Sequence, residues 1–244
     1  MDFIDQLKSH RSIRKFSGDK IKDAELHDWV QAAQSASTSH HVQAYHIIEV
    51  TQDDMRDQIG ELAGGQRYVS SAARFLVFCA DLRKIQLAAA SQNRSADFNL
   101  ESTLTAIIDV SLLAQNLMLC AESQGYGGVF IGGIRNDLTQ IVKLLKVPPL
   151  VIPLFGMCLG KPDQNPDFKP RFPLNAVLSK DGYPDDNELK SALEQYDQTM
   201  TDYYASRKYN TREDNWSQMI ANFVGKPHRE YLRGLVDSQK FSLD

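Results

Sequence analysis

Cysteine, bilayer-length apolar runs and blocks of like charge are all scarce in this chain. The three cysteines, Cys79, Cys120 and Cys158, are far apart, odd in number and set among apolar neighbours ("LVFCAD", "LMLCAE", "FGMCLG"). That reads as three buried thiols rather than a disulfide framework, a metal site or a catalytic nucleophile. The six histidines show no metal-ligand spacing, and the adjacent His40 and His41 would point in different directions from most backbones. The opening "MDFIDQLKSHR" has no apolar h-region, and no apolar run approaches the ~18 residues needed to cross a bilayer. A net charge of −4 without a run of like charges argues against a broad nucleic-acid surface or a polybasic membrane patch. These absences predict a cytoplasmic protein whose partners are neither nucleic acid nor membrane.

Several catalytic signatures are missing as well. There is no GxSxG, no HExxH and no GxxxxGK[ST], and the glycines of "GYGGVFIGG" are not in GxGxxG order, which disfavours P-loop and Rossmann nucleotide sites. No internal repeat, linker or low-complexity tract divides the 244 residues, so residues 1–244 are expected to form one domain with a C-terminal extension from about residue 185.

What is present alternates between two periodicities. Ile4 and Leu7 mark a short first helix. A second begins near Asp23, a plausible N-cap, with Leu26, Trp29, Val30 and Ala33 on one face. "YHIIEV" and "RFLVFCAD" read as strands, the latter a buried one. Residues 82–101, rich in small and polar side chains, break the pattern and predict a mobile excursion. Residues 102–124 form a long helix apolar on more than one side, predicted to be buried all round. "GYGGVFIGGIRND" packs five glycines around a strand, Leu138, Ile141, Val142 and Leu145 mark a short helix, and "VIPLFGMCLG" is another apolar strand. "KPDQNPDFKPRFP" is a proline-stiffened loop. Leu189, Leu193, Tyr196, Met200 and Tyr203 then make a narrow helical stripe. Two strand-like segments follow each other through loops too short for a parallel crossover, which favours α+β over a doubly wound sheet.

The chemistry sits in cationic and glycine-rich loops. "SHRSIRKF" gathers His10, Arg11, Ser12, Arg14 and Lys15, and residues 169–171 ("KPR") add Lys169 and Arg171. Such donors suit an anionic organic ligand. Phosphate leads, because a phosphomonoester carries about −1.5 to −2 charges at neutral pH and guanidinium forks match its oxygens. Each motif has an ordinary alternative: a solvated basic stretch for "HRSIR", a solvent-facing charge pair for "KPR", loop polarity for "SASTSHHVQ", a plain turn for "GGQRYV".

Taken together and in order, "HRSIRKF", the Ser/Thr run followed by "VQAY", "AGGQRYV", "FLVFCAD", "YGGVFIGGIRN", "PLFGMCLGKP", "KPRFP" and the tail "YY…R…R…W" resemble the oxygen-insensitive NADPH nitroreductases and NADPH-dependent FMN reductases, in the major, NADPH-preferring branch. The likeness runs from about Phe3 to Leu235. It implies an α+β nitroreductase-like fold, with a mainly antiparallel central sheet flanked by helices. It also implies a homodimer with one FMN per subunit, whose C-terminal extension packs on the partner subunit. By this resemblance His10, Arg11, Ser12 and Arg14, with Lys169 and Arg171, take the FMN phosphate. Thr38, Ser39, His40 and Gln43 meet the isoalloxazine edge and ribityl chain, Gln66 and Tyr68 lie beside the flavin, and Ile131, Gly132 and Gly133 bring backbone close to the ring. Arg207, Arg212 and Arg229 match arginines that bind NADPH phosphates. His40 stands where the family commonly has a hydroxyl, and residues 82–101 match least, in a segment that borders the substrate opening in the family.

The expected activity is ping-pong hydride transfer from NADPH through FMN to nitroaromatics, quinones or similar small acceptors, with no side-chain general base. The alternatives are an NADPH:FMN reductase that releases reduced flavin to a partner enzyme, and a non-catalytic flavin-binding protein.

Overall fold

Successive side chains of an extended chain point to opposite faces, and the central strands of this protein bury both. A computed structural model describes residues 2–207 and 211–243, which divide into two units, Met1–Pro166 with Arg229–Asp244, and Asp167–His228. The first unit runs α1 (Phe3–Lys8), α2 (Asp23–Ala33), β1 (Tyr45–Glu49), α3 (Asp53–Leu62), α4 (Tyr68–Ser71), β2 (Arg74–Asp81), α5 (Arg83–Ser91) and α6 (Leu100–Ser123). It continues through β3 (Gly127–Ile131), a 3-10 turn (Gly132–Asn136), α7 (Leu138–Leu144) and β4 (Val151–Gly160). In the second unit lie α8 (Asp186–Ser206) and α9 (Trp216–Val224), and the chain returns to the first with α10 (Leu232–Ser238).

The sheet has the order β1-β2-β4-β3, and every pairing is antiparallel. Phe75, Val77 and Cys79 of β2 enter one apolar cluster with Ile59, Val69, Ile134, Leu138 and Leu235. Leu76 and Phe78 enter the other, with Leu26 and Trp29 of α2 and Leu113, Leu117 and Met118 of α6. This is the predicted α+β arrangement of an antiparallel sheet between helices. The register passes from Phe78↔Phe155 to Cys79↔Pro153 and leaves Leu154 unpaired. Proline has no N–H for the ladder, so an interior strand accepts it at such a bulge.

Three expectations need correction. Residues 82–101 are not one irregular excursion, since α5 occupies nine of them. Asp81 Oδ1 accepts from the amides of Arg83 (2.9 Å) and Lys84 (3.3 Å), and "LAAAS" has high helix propensity. No residue of α5 is buried, so no apolar periodicity announced it. Asp23 is the first helical residue of α2 rather than its cap; Lys22 occupies that position, its amide donating to Glu25 Oε2 at 2.9 Å.

The third correction concerns α6. Its own unit buries one side, whereas Leu104, Ile107, Ile108 and Leu112 are 39–56% exposed, because a helix lying on one sheet has only one face to cover. With 24 residues and an 18-residue stretch of mean hydropathy 1.7, α6 is also long and apolar enough by length and composition to span a bilayer. Here Val110, Leu113, Leu117 and Met118 are fully buried protein core.

The second unit is built on α8, whose cap Asp185 accepts from the amides of Asn187 and Glu188, both at 2.8 Å. Ala192, Tyr196, Met200 and Tyr204 are its buried residues, a stripe that ends at Tyr204 where the sequence pointed to Tyr203. Phe172 lies 4.5 Å from the Tyr196 ring and 4.9 Å from that of Trp216. An aromatic cluster is the core of this unit.

Candidate functional site

The basic segment after α1 is an extended strip fastened to the sheet. The Ile13 amide donates to Gly128 O (2.9 Å), Ser17 N to Lys161 O (2.9 Å) and Asp163 N to Lys15 O (2.9 Å). Ile13 is buried, so the period of two turns its neighbours Ser12 and Arg14 to the other side; Arg14 is exposed. His10 Nδ1 lies 2.5 Å from Glu122 Oε1 at the end of α6, and Arg11 donates to Asn165 Oδ1. Arg11, Glu122, Tyr126 and Asn165 line a recess of about 250 Å³. Arg11 thus lines this recess beside the Glu122 carboxylate and Ile13, while Ser12 and Arg14 lie on the side of the strip away from Ile13.

A second group forms around the turn Gly132–Asn136. A Cβ at Gly133 would sit 2.3 Å from Ala63 O and 2.6 Å from Gln66 Nε2, so the turn and the α3–α4 connection approach as only glycine permits. Gln66 Nε2 donates to Ala63 O (2.8 Å), and the Tyr68 hydroxyl donates to Gln66 Oε1 (2.8 Å). Buried Arg56 donates to Val69 O and Ala72 O and so fixes the far end of this connection.

The same turn is clasped from two other directions. Arg135 donates to the carbonyl of Leu154, the residue that the bulge in β4 leaves out of the register. Burial pushes the Arg135 guanidinium below its ordinary pKa, and nearby Arg229 acts in the same direction. Arg229 donates through Nε (3.2 Å) and NH2 (2.7 Å) to Asn136 Oδ1. The Tyr231 hydroxyl donates to Arg135 O (2.7 Å) and accepts from Leu138 N (2.7 Å). Arg229, expected at a nucleotide phosphate, is thus brought to the turn expected to carry the ring. Ile131 is buried, and Gly132 and Gly133 are half-buried.

A third element is the loop between Thr38 and Ala44. His40, His41 and Gln43 have φ of 47°, 58° and 54°, a left-handed backbone that costs a non-glycine residue roughly 1–2 kcal/mol. Thr38 and Gln43 are half-buried, Ser39 and His40 exposed. Asp109 of α6, 1% exposed, accepts from the Ser39 amide through Oδ1 (3.2 Å) and from the Ala44 amide through Oδ2 (3.1 Å). Burial pushes the Tyr45 phenol upward, and the Asp109 charge adds to that shift.

The remaining predicted residues lie in the second unit. Lys169 and Arg171 are exposed. Arg207 is 3.9 Å from Asp167 Oδ2 and 5.4 Å from the centre of the Tyr203 ring. Arg212 lies over Tyr204 at 5.9 Å. The predicted site residues thus fall into three groups in the first unit, and these four cations belong to the second.

Asp109, Glu122, Arg135, Asn136 and Tyr231 were not found from the sequence. Asp109 had a signal: between Ser102 and Ala121 it is the one charged residue of an apolar helix. The others had none, because their partners are distant in the chain.

Comparison with known proteins covers nearly all of the chain. The model of the "Nitroreductase family" matches residues 7–161, and that of the "Nitroreductase family, C-terminal domain" matches residues 169–244. The chain is 41% identical to an NADPH-flavin oxidoreductase of Vibrio harveyi over 97% of its own length and 96% of the relative's. It is equally 41% identical, with the same coverage of 97% and 96%, to an oxygen-insensitive NADPH nitroreductase of Salmonella typhimurium. Among solved structures, the NfrA1 nitroreductase of B. subtilis superposes with a TM-score of 0.96 at 37% identity, over 100% of both chains.

Proposed function

The chain belongs to the nitroreductase family, and from that premise we propose an NADPH-dependent flavin oxidoreductase that uses FMN and reduces nitroaromatics, quinones or similar small acceptors. When bound, FMN would supply the redox chemistry for a ping-pong transfer of hydride from NADPH to the acceptor. The protein's own residues bind and orient.

The observation that carries this reading is the donor set of the first unit. His10, Arg11, Ser12 and Arg14 on a strip pinned to the sheet have the chemistry to hold the FMN phosphate. A turn with no room for a Cβ at Gly133 suits a flat ring, since main-chain donors can approach it without side chains in between. Thr38, Ser39, His40 and Gln43 take the ring edge and ribityl chain, with Gln66 and Tyr68 beside them. Donors of this kind near the pyrimidine stabilise negative charge in the reduced state. Lys169 and Arg171 are assigned to phosphate by family likeness alone, as are Arg207, Arg212 and Arg229 to NADPH. No side chain is assigned as a general base.

The working form is a homodimer, and residues 1–244 act as one nitroreductase-like domain whose extension from about residue 185 packs on the partner. The exposed apolar side of α6, with Phe3, Ile4 and Leu7 of α1 at 41–59% exposure, supports a second copy as its cover. Three free cysteines are in keeping with the cytoplasm.

Anaerobic spectroscopy tests the function. Flavin absorbance that bleaches with stoichiometric NADPH and returns with a nitroaromatic is the expected result, and a purified protein that neither carries nor binds FMN would sink it. Flavin that washes out on gel filtration favours the FMN reductase, with reduced FMN as product. A bound chromophore indifferent to NADPH favours a non-catalytic flavin binder.

A further inference from the structure

We propose that Asp109 is a positioning residue for the flavin ring, acting through the loop between Thr38 and Ala44; this rests on the reading that places that loop at the ring edge. A carboxylate inside an apolar helix is costly to bury unless its oxygens find donors. Asp109 is 1% exposed, and both oxygens find a main-chain amide, Ser39 N at 3.2 Å and Ala44 N at 3.1 Å. Those two amides bracket the three left-handed residues His40, His41 and Gln43. One rigid side chain therefore fixes the width of the loop, and with it the direction of Thr38, Ser39 and Gln43.

The chemistry of the clamp needs a carboxylate. An asparagine has one carbonyl oxygen and one amide nitrogen, so it serves one backbone donor and presents a donor to the other. Leucine, similar in volume, serves neither. The hydrogen bonds of Asp109 go to the two ends of this loop, so its effect falls on the ring end and not on the phosphate end. FMN and riboflavin share the ring and ribityl chain and differ in the phosphate, which makes the pair a probe for which end is disturbed.

The experiment measures dissociation constants of FMN and riboflavin, by flavin fluorescence well below the unfolding temperature, for the wild type and for Asp109→Asn, Asp109→Leu and Gln43→Ala. The expected result for Asp109→Asn is weaker binding of both flavins by the same factor, about tenfold if one hydrogen bond's worth of alignment is lost. A changed shape of the bound-flavin visible band accompanies it, and Asp109→Leu has a larger effect. A lower unfolding temperature with unchanged constants and spectra overturns the proposal, because Asp109 would then hold the fold and not the flavin. Weakening of FMN alone overturns it too.

If Gln43→Ala weakens both flavins while Asp109→Asn does not, the loop assignment stands and this inference fails. If neither substitution changes either constant, the loop assignment falls with it. Should the Asp109 variants not fold, amide exchange in the wild type decides. Slower exchange at Ser39 and Ala44 on adding riboflavin supports the clamp, and unchanged exchange overturns it.

Discussion

The turn Gly132–Asn136 and the loop between Thr38 and Ala44 are both assigned to the flavin ring, yet they are held by opposite means. The turn is fixed by bulk and by several independent bonds: Gly133 against Ala63 O and Gln66 Nε2, Arg135 on the Leu154 carbonyl, Arg229 on Asn136, Tyr231 on both Arg135 O and Leu138 N. The loop carries three left-handed residues and is bracketed by one carboxylate. Packing leaves no room for a larger residue in the turn, while the loop would be eased by a smaller one. A wall for a flat ligand has to be immovable, whereas a loop that supplies hydroxyls and an amide has to be aimed.

The comparison breaks most decisively if the turn accepts a side chain. Gly133→Val would place a Cβ against backbone that cannot move cheaply, and overpacking of this kind costs about 1–3 kcal/mol. The expected outcome is a loss at the upper end of that range in urea unfolding, together with loss of bound flavin. Stable, yellow Gly133→Val protein would show that the turn is not sterically fixed.

Arg229→Ala removes a cation that touches the turn from the outside. A severalfold rise in KM for NADPH is expected, with the FMN dissociation constant unchanged, since Asn136 keeps its place through the turn's other fastenings. Weakened FMN binding would show that the arginine is part of the wall.

Tyr231→Phe deletes a hydroxyl that donates once and accepts once. Leaving those two backbone groups to find other partners costs roughly 1–2 kcal/mol, read in the denaturation midpoint. No loss would mean that the clasp at Arg135 O and Leu138 N is redundant.

The smallest change sharpens the other side. His41→Gly relieves one left-handed residue outside the assigned contact set, and is expected to change stability by between zero and about +1 kcal/mol, because glycine adopts φ above zero freely but loses more entropy on folding. Destabilisation beyond that would mean that the His41 side chain itself holds the loop.

Much of the fold was legible in residue spacing. The strand "RFLVFCAD", a continuous apolar run, and the helical face Leu26, Trp29, Ala33 were readable from neighbouring residues, and both enter the core. The basic strip at His10 to Lys15 and the glycines at 132 and 133 were visible because the chemistry is in the residue types themselves. Helix α5 was missed, since a helix that buries nothing writes no apolar period. The open side of α6 was misread for the converse reason: a sequence records that a face is apolar, not which chain covers it.

What the sequence determined alone is therefore local: the helices and strands with a buried face, the antiparallel tendency, the cations in one short segment and the glycines in another. Tertiary structure alone decided that Asp109 would meet amides 70 and 65 residues away, that His10 would meet Glu122 across 112, and that Tyr231 would reach Arg135 across 96. It also decided that a bulge would free the Leu154 carbonyl for Arg135. Periodicity is a property of neighbours within a few residues, fixed by the 3.6 and 2.0 repeats of the backbone. A hydrogen bond between distant residues depends on the path of all the chain between them, and no spacing records it.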